Sequence, residues 1–226
     1  MPHRAPIVAI DGPAGAGKST VARQLAQRLG FSMIDTGAIY RSVALAARQS
    51  EIAWDDDQGL ANLLAHGLPL GFRDGRVMLA GQDVSEAIRT PEMSRGASVV
   101  SARSIVRERL LELQRELGRA AEHGAVLEGR DIGTVVFPDA EVKFFLTASD
   151  EARAARRHAE LSEKGISPGL PKVLADQRQR DRDDTERAIA PLRPAPDAVL
   201  VDTTGLDLEA VVERCFQLAS ARLSSL

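Results

Sequence analysis

The chain of 226 residues has very little cysteine and no long apolar run, and each shortage excludes a class of protein. Its one cysteine, Cys215, excludes both an internal disulfide framework and a zinc site built from cysteines. Cys215 lies in a series of apolar residues at helical spacing, which indicates a core position rather than a nucleophile. No apolar run approaches the roughly 20 residues that a membrane-spanning helix needs. We therefore expect no membrane as a partner.

The chain also has little net charge. The formal net charge is -3, with 29 Lys and Arg against 32 Asp and Glu. Such a balance offers no general attraction to nucleic acid or anionic membranes, so we expect no nucleic acid partner. The first predicted strand begins within a few residues of the N-terminus, which leaves no room for a signal peptide. We expect a single cytoplasmic domain over residues 1–226, large enough to bury a sizeable core and working as a monomer.

What the sequence does contain is a glycine-rich loop between a strand and a helix. The β-branched run at residues 7–10 predicts a buried strand, and residues 19–29 predict a helix. The glycines let backbone N–H groups point at phosphate oxygens, and the positive end of the helix dipole adds to the attraction. The loop between them fits the G-x-x-x-x-G-K-[ST] pattern and consists of Gly12, Pro13, Ala14, Gly15, Ala16, Gly17, Lys18, Ser19 and Thr20.

This loop predicts that the chain binds a nucleoside triphosphate. Lys18 is expected to supply a point charge to the β- and γ-phosphates, and the Ser19 hydroxyl to ligate Mg²⁺. The alternative is a glycine-rich turn that binds nothing, which the flanking strand and helix disfavour.

Strand and helix patterns alternate along most of the chain, which predicts a parallel sheet covered by helices. The further predicted strands lie at residues 31–35, 125–128, 142–146 and 198–202, and the further helices at 37–48 and 207–219. Residues 68–80 interrupt this alternation. Their two short apolar runs flank Asp74 and Gly75 and predict a hairpin, hence a small β-containing insertion at about residues 60–100.

A second interruption covers residues 151–187. Two helical patterns flank a stretch rich in glycine and proline, and few large apolar residues are available to hold them to a core. The stretch is therefore a candidate mobile lid, with a solvated helical hairpin as the alternative. The lid carries many arginines, some of which we expect in exposed ion pairs with neighbouring acids.

Arginines also follow two of the predicted strands. Arg41 follows the strand at 31–35 and Arg130 the strand at 125–128, each beside a glycine-containing turn. In open α/β sheets ligands bind beyond the carboxyl ends of the strands, so we expect these loops and the phosphate loop to converge. A guanidinium binds phosphate at two points and keeps its charge. Arg41 and Arg130 are candidates for a second phosphate site, although a single arginine is more often a solvated surface residue.

Five stretches of the sequence together resemble the bacterial cytidylate kinases, members of the nucleoside monophosphate kinase group of P-loop proteins. They are residues 10–20, 35–41, 86–90, 129–140 and 180–192, in the order that the family has them. The run Gly-Arg-Asp-Ile-Gly-Thr-Val-Val-Phe-Pro is highly specific, whereas the phosphate loop fits many families. The resemblance implies a three-layer α/β fold with a parallel central sheet, a monophosphate-binding insertion and a helical lid.

The resemblance also implies transfer of the γ-phosphoryl group of ATP to CMP or dCMP. ATP is expected at the phosphate loop and Arg157, and the catalytic residues are expected to be Lys18, Arg130 and Arg187. Many monophosphate kinases carry glycine where this chain has Ser19, so Thr20 is the alternative Mg²⁺ ligand. The residues expected to bind CMP are Thr36, Tyr40, Arg41, Ser98, Arg107, Arg130, Asp131, Arg180, Asp184 and Arg187.

Within that set, Arg41, Arg130 and Arg187 are expected to hold the acceptor phosphate, and Arg180 and Asp184 the sugar and nearby phosphate. The cytosine edge is expected to contact Ser98, Arg107 and Asp131, with Ser94 and Ser101 as alternatives to Ser98. A different small-molecule P-loop kinase would share the loop and the lid but not the pair Asp131 and Arg107. A regulatory nucleotide switch would hydrolyse its ligand without an acceptor.

Overall fold

The computed structural model describes residues 5–73 and 75–225, so Asp74 of the predicted hairpin turn lies outside the described residues. The chain divides into two compact units. The first unit comprises the chain up to Ile34 together with the chain from Arg115 onwards, and the second comprises Asp35–Gln114. Each unit contains its own cluster of buried apolar side chains.

The strands and helices are numbered in chain order. The strands are β1 (Ile7–Asp11), β2 (Ser32–Asp35), β3 (Leu70–Arg73), β4 (Arg76–Leu79), β5 (Gln82–Asp83), β6 (Ala125–Glu128), β7 (Val142–Thr147) and β8 (Val199–Asp202). The α-helices are α1 (Lys18–Leu29), α2 (Thr36–Gln49), α3 (Asp57–Leu63), α4 (Pro91–Ser101), α5 (Ser104–Arg119), α6 (Asp150–Glu163), α7 (Leu170–Glu186) and α8 (Leu208–Leu223). Two shorter segments are a 3-10 turn at Ala87–Arg89 and a π-helical turn at Ile132–Val136.

A five-stranded sheet in the order β2-β6-β1-β7-β8 forms the centre of the first unit. The pairings of β1 with β6 and β7, and of β7 with β8, are parallel, which confirms the predicted parallel sheet. Strand β1 is buried along its whole length because it has a strand on each side and helices over its faces. Cys215 of α8 is buried in the same core, as predicted.

The glycines at both ends of α1 explain where this helix begins and ends. Gly17 precedes it with a φ of 86°, and Gly30 follows it with a φ of 70°. The Gly30 N–H donates to the carbonyls of Ala26 and Gln27, which closes the last turn. The phosphate loop therefore runs directly from a buried strand into a helix, as the sequence pattern predicts.

The second unit holds the predicted hairpin. Strands β3 and β4 pair antiparallel, and β5 extends them to a three-stranded sheet. Helices α3 and α4 and most of α5 also belong to this unit, and the sequence analysis assigned none of them.

Close packing between α2 and α4 depends on Gly96. The Trp54 indole N–H donates to the carbonyl of Ala44 at 2.9 Å, which fixes the ring against α2. A Cβ added at Gly96 would lie 2.7 Å from the indole and 2.8 Å from the Ala44 Cβ. Only a residue without a side chain fits this position.

The predicted helix–loop–helix is confirmed by α6 and α7, which both belong to the first unit. These helices share a small apolar cluster of Ala154, Leu161 and Val173. Among the described residues, no helix is long and apolar enough to span a membrane.

We expect Gly96→Ala to destabilise the protein although alanine is the better helix former. Helix propensity alone would stabilise the variant by about 1 kcal/mol, whereas overpacking a close contact costs about 1–3 kcal/mol. Urea unfolding followed by far-UV circular dichroism should give a lower midpoint than in the parent. Gly71→Ala is the control, because a Cβ there would meet no atom within 4 Å. Equal midpoints for Gly96→Ala and the parent would contradict the close packing.

Candidate functional site

The phosphate loop adopts a backbone that only glycine allows at three positions. Gly12, Gly15 and Gly17 have φ values of 145°, 76° and 86°. A Cβ on Gly12 would lie 2.0 Å from the backbone oxygen of Leu146, so the start of the loop lies directly against β7. Lys18, the lysine of the loop pattern, is buried, and its Nζ donates to the Pro13 carbonyl at 2.8 Å.

Side chains from distant parts of the first unit bind the other carbonyls of this loop. Arg153 Nη1 donates to the Ala14 carbonyl at 2.9 Å, and Arg156 Nη1 lies 3.5 Å from the Gly15 carbonyl. The Thr203 hydroxyl lies 3.3 Å from the Ala16 carbonyl and accepts from Arg156 at 2.9 Å. Together with the Lys18 contact, these side chains contact the carbonyls of four successive residues, and the bonds of Lys18 and Arg153 are the shortest.

Lys18 is surrounded by both cations and carboxylates. Burial lowers the pKa of its ammonium group to about 7, and Arg130 and Arg180 act in the same direction. The carboxylates of Glu128 and Asp184 oppose this shift only in part. The region beside the phosphate loop therefore holds three cations within reach of one another, which suits an anionic ligand.

The highly specific run at residues 129–138 begins just beyond β6 and contains the π-helical turn. Asp11, at the end of β1, is buried and accepts hydrogen bonds from the backbone N–H groups of Ile132 and Gly133, each at 2.8 Å. Burial raises the pKa of Asp11 to about 6, against the effect of these two donors. Arg130 and Asp131 are the two residues that directly precede the bonded N–H groups.

Two of the predicted arginines and two of the predicted carboxylates lie together in the first unit. Arg130 Nε donates to Asp184 Oδ2 at 2.8 Å. Arg187 lies 3.8 Å from both Asp131 and Asp184. Burial alone would raise the pKa of Asp184, but Arg130, Arg180 and Arg187 lower it below its ordinary value. The cluster thus consists of charged groups that are mostly withdrawn from water.

The arginines of α6 and α7 fall into two groups. Arg153 is almost fully buried and pairs with Asp150 and Asp181, each at 2.6 Å. Arg157 pairs with Glu160 at 3.0 Å on a half-exposed surface, and Arg178 pairs with Asp150. The expected exposed ion pairs are therefore present. Sequence reasoning missed the contacts of Arg153 and Arg156 with the phosphate loop, because their spacing indicates only a helix face.

The second unit brings several other predicted residues together. Asp35 accepts from the Ala38 N–H at the start of α2 and forms an ion pair with Arg41 at 2.7 Å. The Arg107 guanidinium lies 5.6 Å from the centre of the Tyr40 ring, a cation–π distance. This unit therefore carries two arginines that are held in place by neighbouring side chains.

Thr36, at the first position of α2, is buried in the same unit. Ser98 of α4 is half-buried and donates to the Ser94 carbonyl at 3.4 Å, whereas Ser101 donates to the Ser98 carbonyl at 3.0 Å. Arg107 Nη1 donates to the Ser101 carbonyl at 3.1 Å. The three serines thus form one chain of contacts along α4, and Arg107 contacts its end.

Known proteins provide a direct comparison for this arrangement. The profile described as cytidylate kinase matches residues 8–221. The chain belongs to the cytidylate kinase family. A cytidylate kinase of Geobacter sp. (strain M21) is 54% identical over 222 residues, which cover 96% of this chain and 94% of the relative. A cytidylate kinase of Citrifermentans bemidjiense is 53% identical with the same coverage.

A solved structure shows that a similar fold occurs in another kinase. A gluconokinase from Sinorhizobium meliloti 1021 superposes with a TM-score of 0.50 at 16% sequence identity. The match covers 98% of this chain and 95% of that protein. At this identity the likeness concerns the α/β fold alone.

The first turn of α1 offers two hydroxyl groups for a metal ion. Ser19 and Thr20 are both exposed and directly follow Lys18. Hard cations such as Mg²⁺ prefer oxygen ligands and keep several waters, so an exposed hydroxyl beside a phosphate loop fits such an ion. Either residue has the chemistry and the exposure for this role.

We expect the lowered pKa of Lys18 to make stability depend on pH. The pKa is about 7 in the folded chain against an ordinary value of 10.5. Between these values the unfolded chain binds more protons, so the contribution of Lys18 to the free energy of unfolding rises with pH. The excess melting temperature of Lys18→Met over the parent should therefore be largest below about pH 7 and shrink toward pH 10. A constant difference across this range would contradict the shift.

Proposed function

We propose that this chain transfers the γ-phosphoryl group of ATP to CMP or dCMP, which yields ADP and CDP or dCDP. The observation that carries the proposal is the buried Lys18 in the phosphate loop. A side chain from elsewhere in the first unit, Arg153, also donates a hydrogen bond to a carbonyl of this loop. Membership in the cytidylate kinase family over residues 8–221 supports the choice of acceptor.

The acceptor is a phosphate oxygen that is already anionic, so the reaction needs neither a covalent intermediate on the enzyme nor a general base. Catalysis then consists of positioning the two nucleotides in line and stabilising the charge of the transferred group. Lys18 follows the γ-phosphoryl group as it moves. Arg130 and Arg187 neutralise charge on the acceptor side, and their pairing with Asp184 keeps both guanidinium groups oriented before substrate binds.

Mg²⁺ is the proposed cofactor, with the Ser19 hydroxyl as its ligand and Thr20 as the alternative. The ion would screen the charge of the phosphates as ATP binds. Residues 12–20 would hold the phosphates of ATP, and Arg157 would contact ATP from the lid.

The remaining predicted residues are proposed to contact different parts of CMP. Arg41 would join Arg130 and Arg187 at the phosphate, and Arg180 and Asp184 would contact the sugar and nearby phosphate. The others are proposed to contact CMP around its base and include Thr36, Tyr40, Ser98, Arg107 and Asp131. Cytosine presents an amino donor and the acceptors N3 and O2, so a carboxylate and a guanidinium match it.

We further propose that residues 60–100 act as a monophosphate-binding insertion and residues 151–187 as a lid within one kinase domain. A lid is useful here because closing it excludes water from the reacting phosphates. The proposed working form is a cytoplasmic monomer.

A coupled assay for ADP with each nucleoside monophosphate in turn tests the proposed function. CMP or dCMP should give the highest kcat/KM. Lys18→Met should lower kcat by about a hundredfold or more, because the lost charge acts most strongly in the transition state. Its melting curve must still show a cooperative transition. A kcat within a few-fold of the parent would exclude this loop as the catalytic phosphate site.

Asp131→Asn tests recognition of the base. In the parent, Asp131 would accept from the amino group of cytosine, whereas uracil would present a carbonyl oxygen to the carboxylate. Each mismatched buried group costs about 1–3 kcal/mol. The asparagine amide can donate to uracil, so the ratio of kcat/KM for CMP over UMP should fall. An unchanged ratio, whatever the absolute rates, would exclude base recognition by Asp131.

A further inference from the structure

The Asp11 carboxylate uses both of its oxygens to hold one short segment of backbone. Oδ1 accepts from the Ile132 N–H and Oδ2 from the Gly133 N–H, each at 2.8 Å. Asp11 is 4% exposed and Ile132 is fully buried, so water cannot replace these bonds. The contact joins residues that lie more than a hundred positions apart in the sequence.

The opposite end of the π-helical turn is held by a cation. Arg115 of α5 donates from Nε to the Val136 carbonyl at 3.0 Å and from Nη2 to the Val135 carbonyl at 3.2 Å. An anion at the N–H end and a cation at the carbonyl end both match the backbone dipoles of the turn. The turn is therefore fixed at both ends by charged side chains.

The backbone of Asp11 is itself held in place by a neighbouring strand. Its backbone pairs with Phe145 of β7 in the centre of the sheet. The next residue, Gly12, contacts the Leu146 backbone so closely that a Cβ would not fit. Any reorientation of the Asp11 side chain would therefore have to occur against a fixed backbone.

We propose that Asp11 is a positioning residue for the acceptor nucleotide. It sets the orientation of Arg130 and Asp131 by holding the N–H groups of the two residues that follow them. The backbone of Asp11 leads into the phosphate loop, whereas its carboxylate holds only the segment that follows Arg130 and Asp131. This inference rests on the proposed function, in which Arg130 and Asp131 contact CMP.

A purely electrostatic role for Asp11 predicts the opposite effect on binding. Removing a negative charge near a phosphate site should strengthen the binding of both anionic nucleotides. Loss of positioning should instead weaken CMP and leave ATP nearly unchanged. A purely structural role should lower the stability and the fraction of active enzyme, and therefore kcat. It should not raise KM for CMP more than KM for ATP.

Asp11→Asn is the deciding variant because it keeps size and removes one acceptor. The asparagine NH₂ would face a backbone N–H, which leaves that buried donor without a partner. We expect KM for CMP to rise about tenfold or more and KM for ATP to stay within about twofold, measured at pH 8. An unchanged or lower KM for CMP, or an equal rise for both substrates, would overturn the inference. Failure of the parent to phosphorylate CMP would overturn the proposed function instead.

Arg115→Lys tests the other end of the turn and decides alone if Asp11→Asn does not fold. Lysine keeps the charge but cannot bind two carbonyls with a fixed fork. We expect a smaller rise in KM for CMP, about threefold, with KM for ATP unchanged. Arg109→Lys is the matched control because Arg109 is exposed on the same helix. Equal KM values for CMP in Arg115→Lys and Arg109→Lys would then count against positioning.

Discussion

Burial of the Lys18 ammonium group is the constraint on which the rest of the first unit depends. A buried cation is costly unless it is hydrogen-bonded and paired, and Lys18 has the Pro13 carbonyl and the nearby charges of Glu128 and Asp184. Burial lowers the pKa of Lys18 most, and Arg130 and Arg180 lower it further, so its proton is held weakly. An anionic group bound beside Lys18 would favour the charged ammonium form again.

The shape of the phosphate loop depends on elements far from it in sequence. Its glycines permit the backbone conformation, but the carbonyls are oriented by Arg153 and Arg156 of α6 and by Thr203 after β8. Arg153 also pairs with Asp181 of α7. Both helices of the proposed lid are therefore linked to the loop, and a rearrangement of α6 would break the hydrogen bonds that hold its carbonyls.

Local patterns in the sequence predict the strands, the phosphate loop and the hairpin because these depend on neighbouring residues, whereas the order of the strands depends on distant pairings. The strand at Ala125–Glu128 agrees with its prediction, whereas α3, α4 and α5 were not assigned from the sequence. The π-helical turn was not predicted either, because it is held by Asp11 and Arg115 from distant positions. The positions of Arg41 and Arg130 after predicted strands indicated a phosphate site, whereas the roles of the other arginines came from the family resemblance. The sequence could not distinguish Arg153, which contacts the loop, from Arg157, which pairs with Glu160.

The strand order has a consequence for synthesis on the ribosome. Strand β1 is synthesised before β6 and β7, with which it pairs and whose residues follow more than a hundred positions later. The Ala16 carbonyl meets its Thr203 partner later still. Long-range pairings of this kind form slowly because the intervening chain must be ordered first. The phosphate loop is therefore synthesised well before its partners Arg153 and Thr203, so a chain that ends before these residues carries the sequence motif without the contacts that hold it.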